Sequence, residues 1–389
     1  MRRIRVSKGS SPVGQKRICY PGDAWVSTPS LASRIAQFDS AHFGLRLTSW
    51  AVLCLTVILF SGCGRTPPAA VASAARTSSP PTTSAPATPS SPVASLLSNC
   101  SMVSSPEARQ AASLTFDSRN QQFVLFGGDT SAGSVADTWL WNAERWTRYT
   151  GPAPSARSHT AMEYDPVGGK VVLYGGQNDV PGQRRTVLSD TWLWNGSGWT
   201  AYASGSQPKL TGPVMVNDAA TASVVLFGIG ASGSETWLWS DGQWTQAHPA
   251  HSPDAREDAA IAYATNSQQV VLFGGFNSGL GALNDTWVWN GTDWTNLQLS
   301  QAPSARLSAT FVSGKQPILF GGSDNVVALS DTWLWTGAQW SRQLPPLSPS
   351  GRIGAAGASD GIQVVVVGGG SGSLFGDAWR WNGNDWAQC

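Results

Sequence analysis

The chain has 389 residues, a formal net charge of +1, 42 Gly, 20 Trp and only 13% charged residues, against roughly 25% charged in ordinary globular domains. The near-neutral total hides a split: residues 1–63 carry eight Arg and Lys against Asp23 and Asp39, so residues 64–389 hold 17 basic and 22 acidic side chains, a net of −5. A mildly acidic folded part with no basic stripe argues against nucleic acid as a partner.

Residues 50–60 read WAVLCLTVILF, an uncharged apolar run after Arg46 and before Ser61-Gly62-Cys63. Eleven residues are too short to span a bilayer comfortably but suit the core of a signal peptide. LFSGC resembles the lipobox of bacterial lipoproteins, which implies lipidation at Cys63 and a mature chain beginning there. Phe60 replaces the usual aliphatic residue, and the leader ahead of Arg46 is long, so an uncleaved signal anchor stays open beside the lipoprotein. The reading for residues 1–63 is an exported, membrane-anchored chain facing the extracytoplasmic side.

Residues 64–98 are nearly all Pro, Ala, Ser and Thr. Such a segment buries too little apolar area to order itself and reads as a disordered tether. Setting aside Cys19, Cys54 and the lipid-bearing Cys63, Cys100 and Cys389 remain. They stand at opposite ends of the folded part, residues 99–389, and are expected to form a disulfide, as exported proteins allow.

Six segments then repeat one pattern. In the first, VLFGG at 124–128 is followed by DTWLW at 137–141 and Trp146; in the fourth, VVLFGG at 270–275 by DTWVW at 285–289 and Trp294. Trp141 to Trp381 spans 240 residues in five intervals, a mean period of 48, which marks propeller blades rather than helical solenoids. Each unit reads as four strands. The second is apolar throughout and the third alternates, so both faces of a blade are covered by neighbours. Four residues always separate the third-strand Trp from the fourth-strand Trp, as in Asn195-Gly196-Ser197-Gly198, a hairpin loop that sets their register. The predicted blades run at about 106–148, 154–201, 209–246, 253–296, 303–342 and 349–388. No strand is left over to complete another blade, so the ring must close by packing blade 1 on blade 6.

The repeat resembles the kelch family over residues 100–389. The resemblance implies an all-β, six-bladed β-propeller of four-stranded blades, like the central domain of galactose oxidase. That enzyme's copper chemistry needs a Cys-linked Tyr, and the only propeller cysteines here are terminal, so neither metal nor cofactor is expected. The third repeat departs most, with Ile229 splitting its glycines and no Arg before its first strand. The sixth has Ala378 and Arg380 where others have Thr and an aliphatic residue, which suggests a more exposed blade face.

Loops joining second to third strands share a face with the linkers between blades. They hold 8, 13, 4, 9, 8 and 6 residues, and unequal loops on a repeating scaffold are where function concentrates. The same face receives Arg109, Arg157, Arg256, Arg306 and Arg352. Kelch proteins that bind acidic ligands use arginines at matching positions near the channel mouth, so the resemblance implies a ligand role; the alternative is pairing with Asp137, Asp190, Asp285, Asp331 and Asp377 inside every blade. Residues that break the repeat are further candidates: His159, Glu257, Asp258, and Arg184 and Arg185 in the longest loop. HPAHSPDARED at 248–258 has no spacing that matches a metal signature. The expected function is binding of a protein or glycan ligand, possible acidity included, by a monomer. A sugar-active enzyme similar to sialic-acid mutarotases and a structural cell-surface spacer are the alternatives.

Overall fold

The structure, a computed structural model, describes residues 105–142, 145–179, 182 and 184–389. The leader, Cys63, the tether and Cys100 lie outside the described residues. Six four-stranded antiparallel sheets follow one another along the chain, each built from a contiguous segment. In blade 1 the strands are Ser113–Asp117, Gln122–Phe126, Thr138–Trp141 and Trp146–Tyr149. The molecule is therefore a six-bladed propeller, and among the described residues no blade borrows a strand from another. The Pro-x-x-Arg segments precede the first strands as linkers.

The DTWLW motif has a separate structural task for each residue. Its Asp, or Glu235 in blade 3, accepts the indole N–H of the first Trp at 2.7–2.8 Å in all six blades. Its Thr is buried and accepts the indole N–H of the following blade's fourth-strand Trp: Trp199 on Thr138, Trp244 on Thr191, Trp294 on Thr236, Trp340 on Thr286 and Trp386 on Thr332, at 2.9–3.0 Å. The second Trp packs beside the fourth-strand Trp of its own blade, with ring centroids 5.2–5.6 Å apart. Each seam thus combines a large apolar area with a directed hydrogen bond that fixes how the blades face one another.

The closing seam differs. Ala378 stands in the Thr position opposite Trp146 and offers no hydroxyl. Arg380, which replaces the aliphatic residue, puts its guanidinium over Trp141 at 4.9 Å from the ring centroid. The two departures of the sixth repeat are therefore features of the blade 6–blade 1 contact rather than of an exposed face. Leu114, Phe123, Trp141 and Trp146 of blade 1 pack there with Val365, Val367 and Ala378 of blade 6, and Cys389 lies against this cluster.

The five arginines bind their own blade, and Arg109, Arg157, Arg306 and Arg352 also hold the preceding one through their main chain. Arg256 donates to both carboxylate oxygens of Asp285 at 2.5 and 2.9 Å and to the carbonyl of Gly274 at 3.0 Å. In Arg157, Arg306 and Arg352 a serine two residues earlier takes a further N–H. In blades 1, 2, 5 and 6 the main chain of the incoming Arg meets the Gly-Gly of the blade before: Gly275 N–H donates to Arg306 O at 2.9 Å, and Arg306 N–H to Leu283 O at 2.9 Å. Gly274, at φ +63°, lies so close that a Cβ would stand 2.6 Å from that carbonyl, so only glycine fits. The ring closes with the same geometry, Gly369 N–H donating to Arg109 O at 2.8 Å.

Blade 3 lacks the Arg, and its shape follows from that loss. Leu210 fills the place, buried, and Ser223–Gly230 pairs with Gly233–Ser240 without interruption through Ile229 and Ser234. With no guanidinium to accommodate between the second and third strands, the hairpin zips to its tip.

Candidate functional site

Two residues after each Arg, or after Leu210 in blade 3, the linker kinks at the axis into the first strand. Ala111, His159, Gly212, Asp258, Ser308 and Gly354 occupy this position in blades 1 to 6, with φ of 52, 52, 55, 54, 51 and 62°. Non-glycine residues adopt this left-handed conformation at a cost of about 1 kcal/mol each. Hydrogen bonds between blades offset it: Ser308 N–H donates to Asp258 O, Gly354 to Ser308, Ala111 to Gly354 and His159 to Ala111, at 2.7–3.0 Å. This chain of bonds runs around the axis from blade 4 to blade 2.

Across blade 3, whose Gly212 has no side chain, His159 Nε2 lies 3.8 Å from Asp258 Oδ1. Gln177 Nε2 is 2.9 Å from the other ring nitrogen. With that amide donating to Nδ1, a neutral His159 carries its proton at Nε2, toward the carboxylate. The axial cavity beneath measures about 190 Å3 and is walled mainly by alanine, glycine and proline, with His159, Thr160, Asp258 and Ser308 as its polar groups.

The repeat-breaking residues separate accordingly. His159 and Asp258 converge, whereas Glu257 is exposed and pairs by its backbone with Phe276. Arg184 and Arg185 are exposed in the blade 2 loop, next to the short ladder of Gln177–Asn178 with Thr186–Val187. His251 contacts Asp293 at 2.8 Å, and hydrogen bonds from its ring and its backbone N–H hold that carboxyl below the usual range. Among the described residues no three His, Cys, Asp or Glu side chains gather as a metal site.

The arginines do not line the mouth. Arg109, Arg157, Arg256, Arg306 and Arg352 are at most 2% exposed, and their donors are engaged within the blade. The channel-mouth arrangement implied by the family resemblance is therefore absent, and the pairing with the repeated acids is what the structure contains. Burial pushes each Asp upward, but the Arg hydrogen bonds and charge outweigh it and leave the carboxyl below its ordinary value of 3.8. A depressed carboxyl stabilises the fold above the unfolded value and loses that contribution only as pH falls through the folded one.

No protein-family model matches the chain, and no curated protein matches it. A solved structure titled "Structure of YjhT" superposes with a TM-score of 0.56, covering 74% of this chain and 99% of its own at 15% identity. The likeness is one of fold.

One titratable residue escaped the sequence reading because it sits mid-strand. Glu163, on the inner strand Ala161–Asp165, accepts from Thr115 Oγ1 of blade 1 at 3.2 Å and from the Tyr164 N–H at 2.9 Å. Burial pushes its carboxyl up to about 7, against those two hydrogen bonds. Its signal in the sequence is a lone Glu where the other blades place Thr115, Val216, Ala262, Val312 and Ala358. A raised acid pKa is linked to stability that is complete below the unfolded value and lost as pH rises through the folded one. Glu163→Gln should therefore raise the melting temperature at pH 8, by the equivalent of about 3 kcal/mol, and leave it nearly unchanged at pH 4; thermal melts at the two pH values check this.

Proposed function

We propose that this protein is a kelch-type interaction module whose loop-and-linker face receives a protein or glycan ligand. The distribution of exposed apolar side chains carries this reading. Val187, Leu280, Val326 and Val327 project from second-to-third loops, and Leu344 and Leu347 from the linker between blades 5 and 6, all on one face; the opposite turns expose Val167 and Ile362. Apolar surface gathered on one side of a scaffold marks contact with a partner. The same face carries Arg184 and Arg185, a cationic pair suited to an acidic ligand, and the mini-ladders that give its loops a defined shape.

A sugar-active enzyme with its site at the axis would use His159 and Asp258 as its acid and base. The cavity between them, about 190 Å3, falls short of the roughly 300–1,000 Å3 of ordinary small-molecule sites, which favours binding over catalysis. In the same reading the chain is exported, lipidated at Cys63 and held off the membrane by residues 64–98. Cys100 and Cys389 then bridge the closing seam, against which Cys389 already packs; by chain entropy such a loop is worth at most roughly 5 to 6 kcal/mol.

Two measurements test these statements. In a screen of acidic peptides and glycans against the full chain, a binder is expected whose affinity falls about tenfold or more in Arg184→Ala with Arg185→Ala, or in Val326→Asp with Val327→Asp. Ile362→Asp, on the other face, should leave it unchanged. Turnover of a sugar, or the absence of any binder, overturns the interaction reading. The intact mass of the unreduced mature protein should correspond to a lipidated chain starting at Cys63 and two hydrogens lighter than its reduced form; a start upstream, or no change on reduction, refutes the anchor or the bridge respectively.

A further inference from the structure

The first Trp of each DTWLW motif is held by its acid and remains only partly covered in blades 1, 2, 4 and 5. Its cross-strand neighbour on the outer strand varies from blade to blade: Arg148, Ala201, Gln246, Asn296, Arg342 and Gln388 in blades 1 to 6. Directly opposed residues of an antiparallel pair project on the same side of the sheet. An indole and a guanidinium therefore stand side by side in blades 1 and 5. Beside those two blades open grooves of about 830 and 740 Å3, several times the axial cavity and within the range of ligand sites.

The groove at blade 5 is the better defined. Trp333 forms part of its wall, and its indole N–H donates to Asp331 Oδ2 at 2.7 Å. Asp331 is in turn gripped by buried Arg306 at 2.6 and 2.9 Å, so the blade's ion pair sets the orientation of the indole. Around it stand Asn284 from the blade 4 loop, Gln301 from the linker, and Gln339 and Arg342 from blade 5. Arg342 is exposed and is the one charged residue among the described residues that line the groove.

We infer that this groove is a carbohydrate subsite that takes an oligosaccharide bearing a carboxylate, with a pyranose ring against Trp333 and the carboxylate on Arg342. The electron-rich indole face attracts the weakly positive C–H face of a pyranose. Side-chain amides offer donor and acceptor together, matching vicinal hydroxyls. A guanidinium receives a carboxylate through two parallel N–H bonds. One cation among amides suits an acidic sugar better than an acidic peptide, which calls for several cations or a free strand edge. The blade 1 groove has the same Trp139–Arg148 pair, but Glu107 and Asp137 line it too, and those carboxylates disfavour an anionic sugar. The inference rests on the interaction reading above and names the ligand class and the place.

The test is binding of uronic-acid-containing oligosaccharides and of their neutral counterparts to the full chain, by saturation-transfer NMR and titration. Trp333→Ala should weaken both by about tenfold or more, and Arg342→Ala should weaken the acidic ligand about fivefold while sparing the neutral one. Trp192→Ala, which removes an equivalent indole opposite Ala201, is the control for fold and should change neither. Arg342→Ala, an exposed outer-strand change, keeps the question open to refutation if Trp333→Ala fails to fold. Glycan binding that survives both groove variants, or falls equally in Trp192→Ala, overturns the groove while leaving the interaction reading intact. Binding of peptides alone overturns the carbohydrate assignment, and binding of neither class overturns both readings.

Discussion

A buried guanidinium organises each blade that has one. Arg256 is wholly enclosed, so its charge must be met inside the protein, and Asp285 with the Gly274 carbonyl meets it. Burying a charge pair is not by itself a large gain, since desolvation consumes much of the Coulombic attraction. What the pair supplies is geometry. It ties the linker to the start of the third strand, holds Gly-Gly in its left-handed turn and, in blades 1, 2, 5 and 6, brings the Arg main chain against the preceding blade. Blade 3 shows the alternative solution: with Leu210 and Glu235 in place of the pair, the second and third strands zip together and the loop shortens to four residues.

The seams obey a second rule built on the first. Because the Asp fixes the start of the third strand, the neighbouring Thr is placed where the next blade's Trp can donate to it. Repetition of that bond across five interfaces makes every internal seam alike. The sixth has to be closed without chain continuity, and it alone substitutes Ala378 and Arg380, exchanging a hydrogen bond for a cation on an aromatic face. Functional variation is thereby confined to the positions that the two rules leave free: the loops, the residue two after each Arg, and the outer-strand partner of the first Trp.

The blade count, the strand order and the tight hairpins were legible in the sequence because tryptophan spacing reports them directly, and the absence of a leftover strand foretold closure by packing. The role of the arginines was not legible, since Pro-x-x-Arg reads the same whether the guanidinium points into its blade or toward the axis; only the register of Arg against Asp decides. His159 and Asp258 stood out as departures from the repeat, yet they converge across blade 3, a relation that the order of the chain does not display. Trp333 with Arg342 was hidden for a similar reason, as eight residues that form a hairpin separate two side chains that the sheet places together. Glu163 drew no notice because a single polar residue in a strand is ordinary until the neighbouring blade is known to enclose it.

The claim that most of this depends on is that the arginines are structural and held by their acids. Equilibrium denaturation of Asp285→Ala, compared with the double variant Arg256→Leu, Asp285→Glu that imitates blade 3, tests it directly. The single change leaves Arg256 buried without its counter-charge and should cost about 3 kcal/mol, with the double variant recovering most of the loss. An Asp285→Ala protein as stable as the parent would contradict the account.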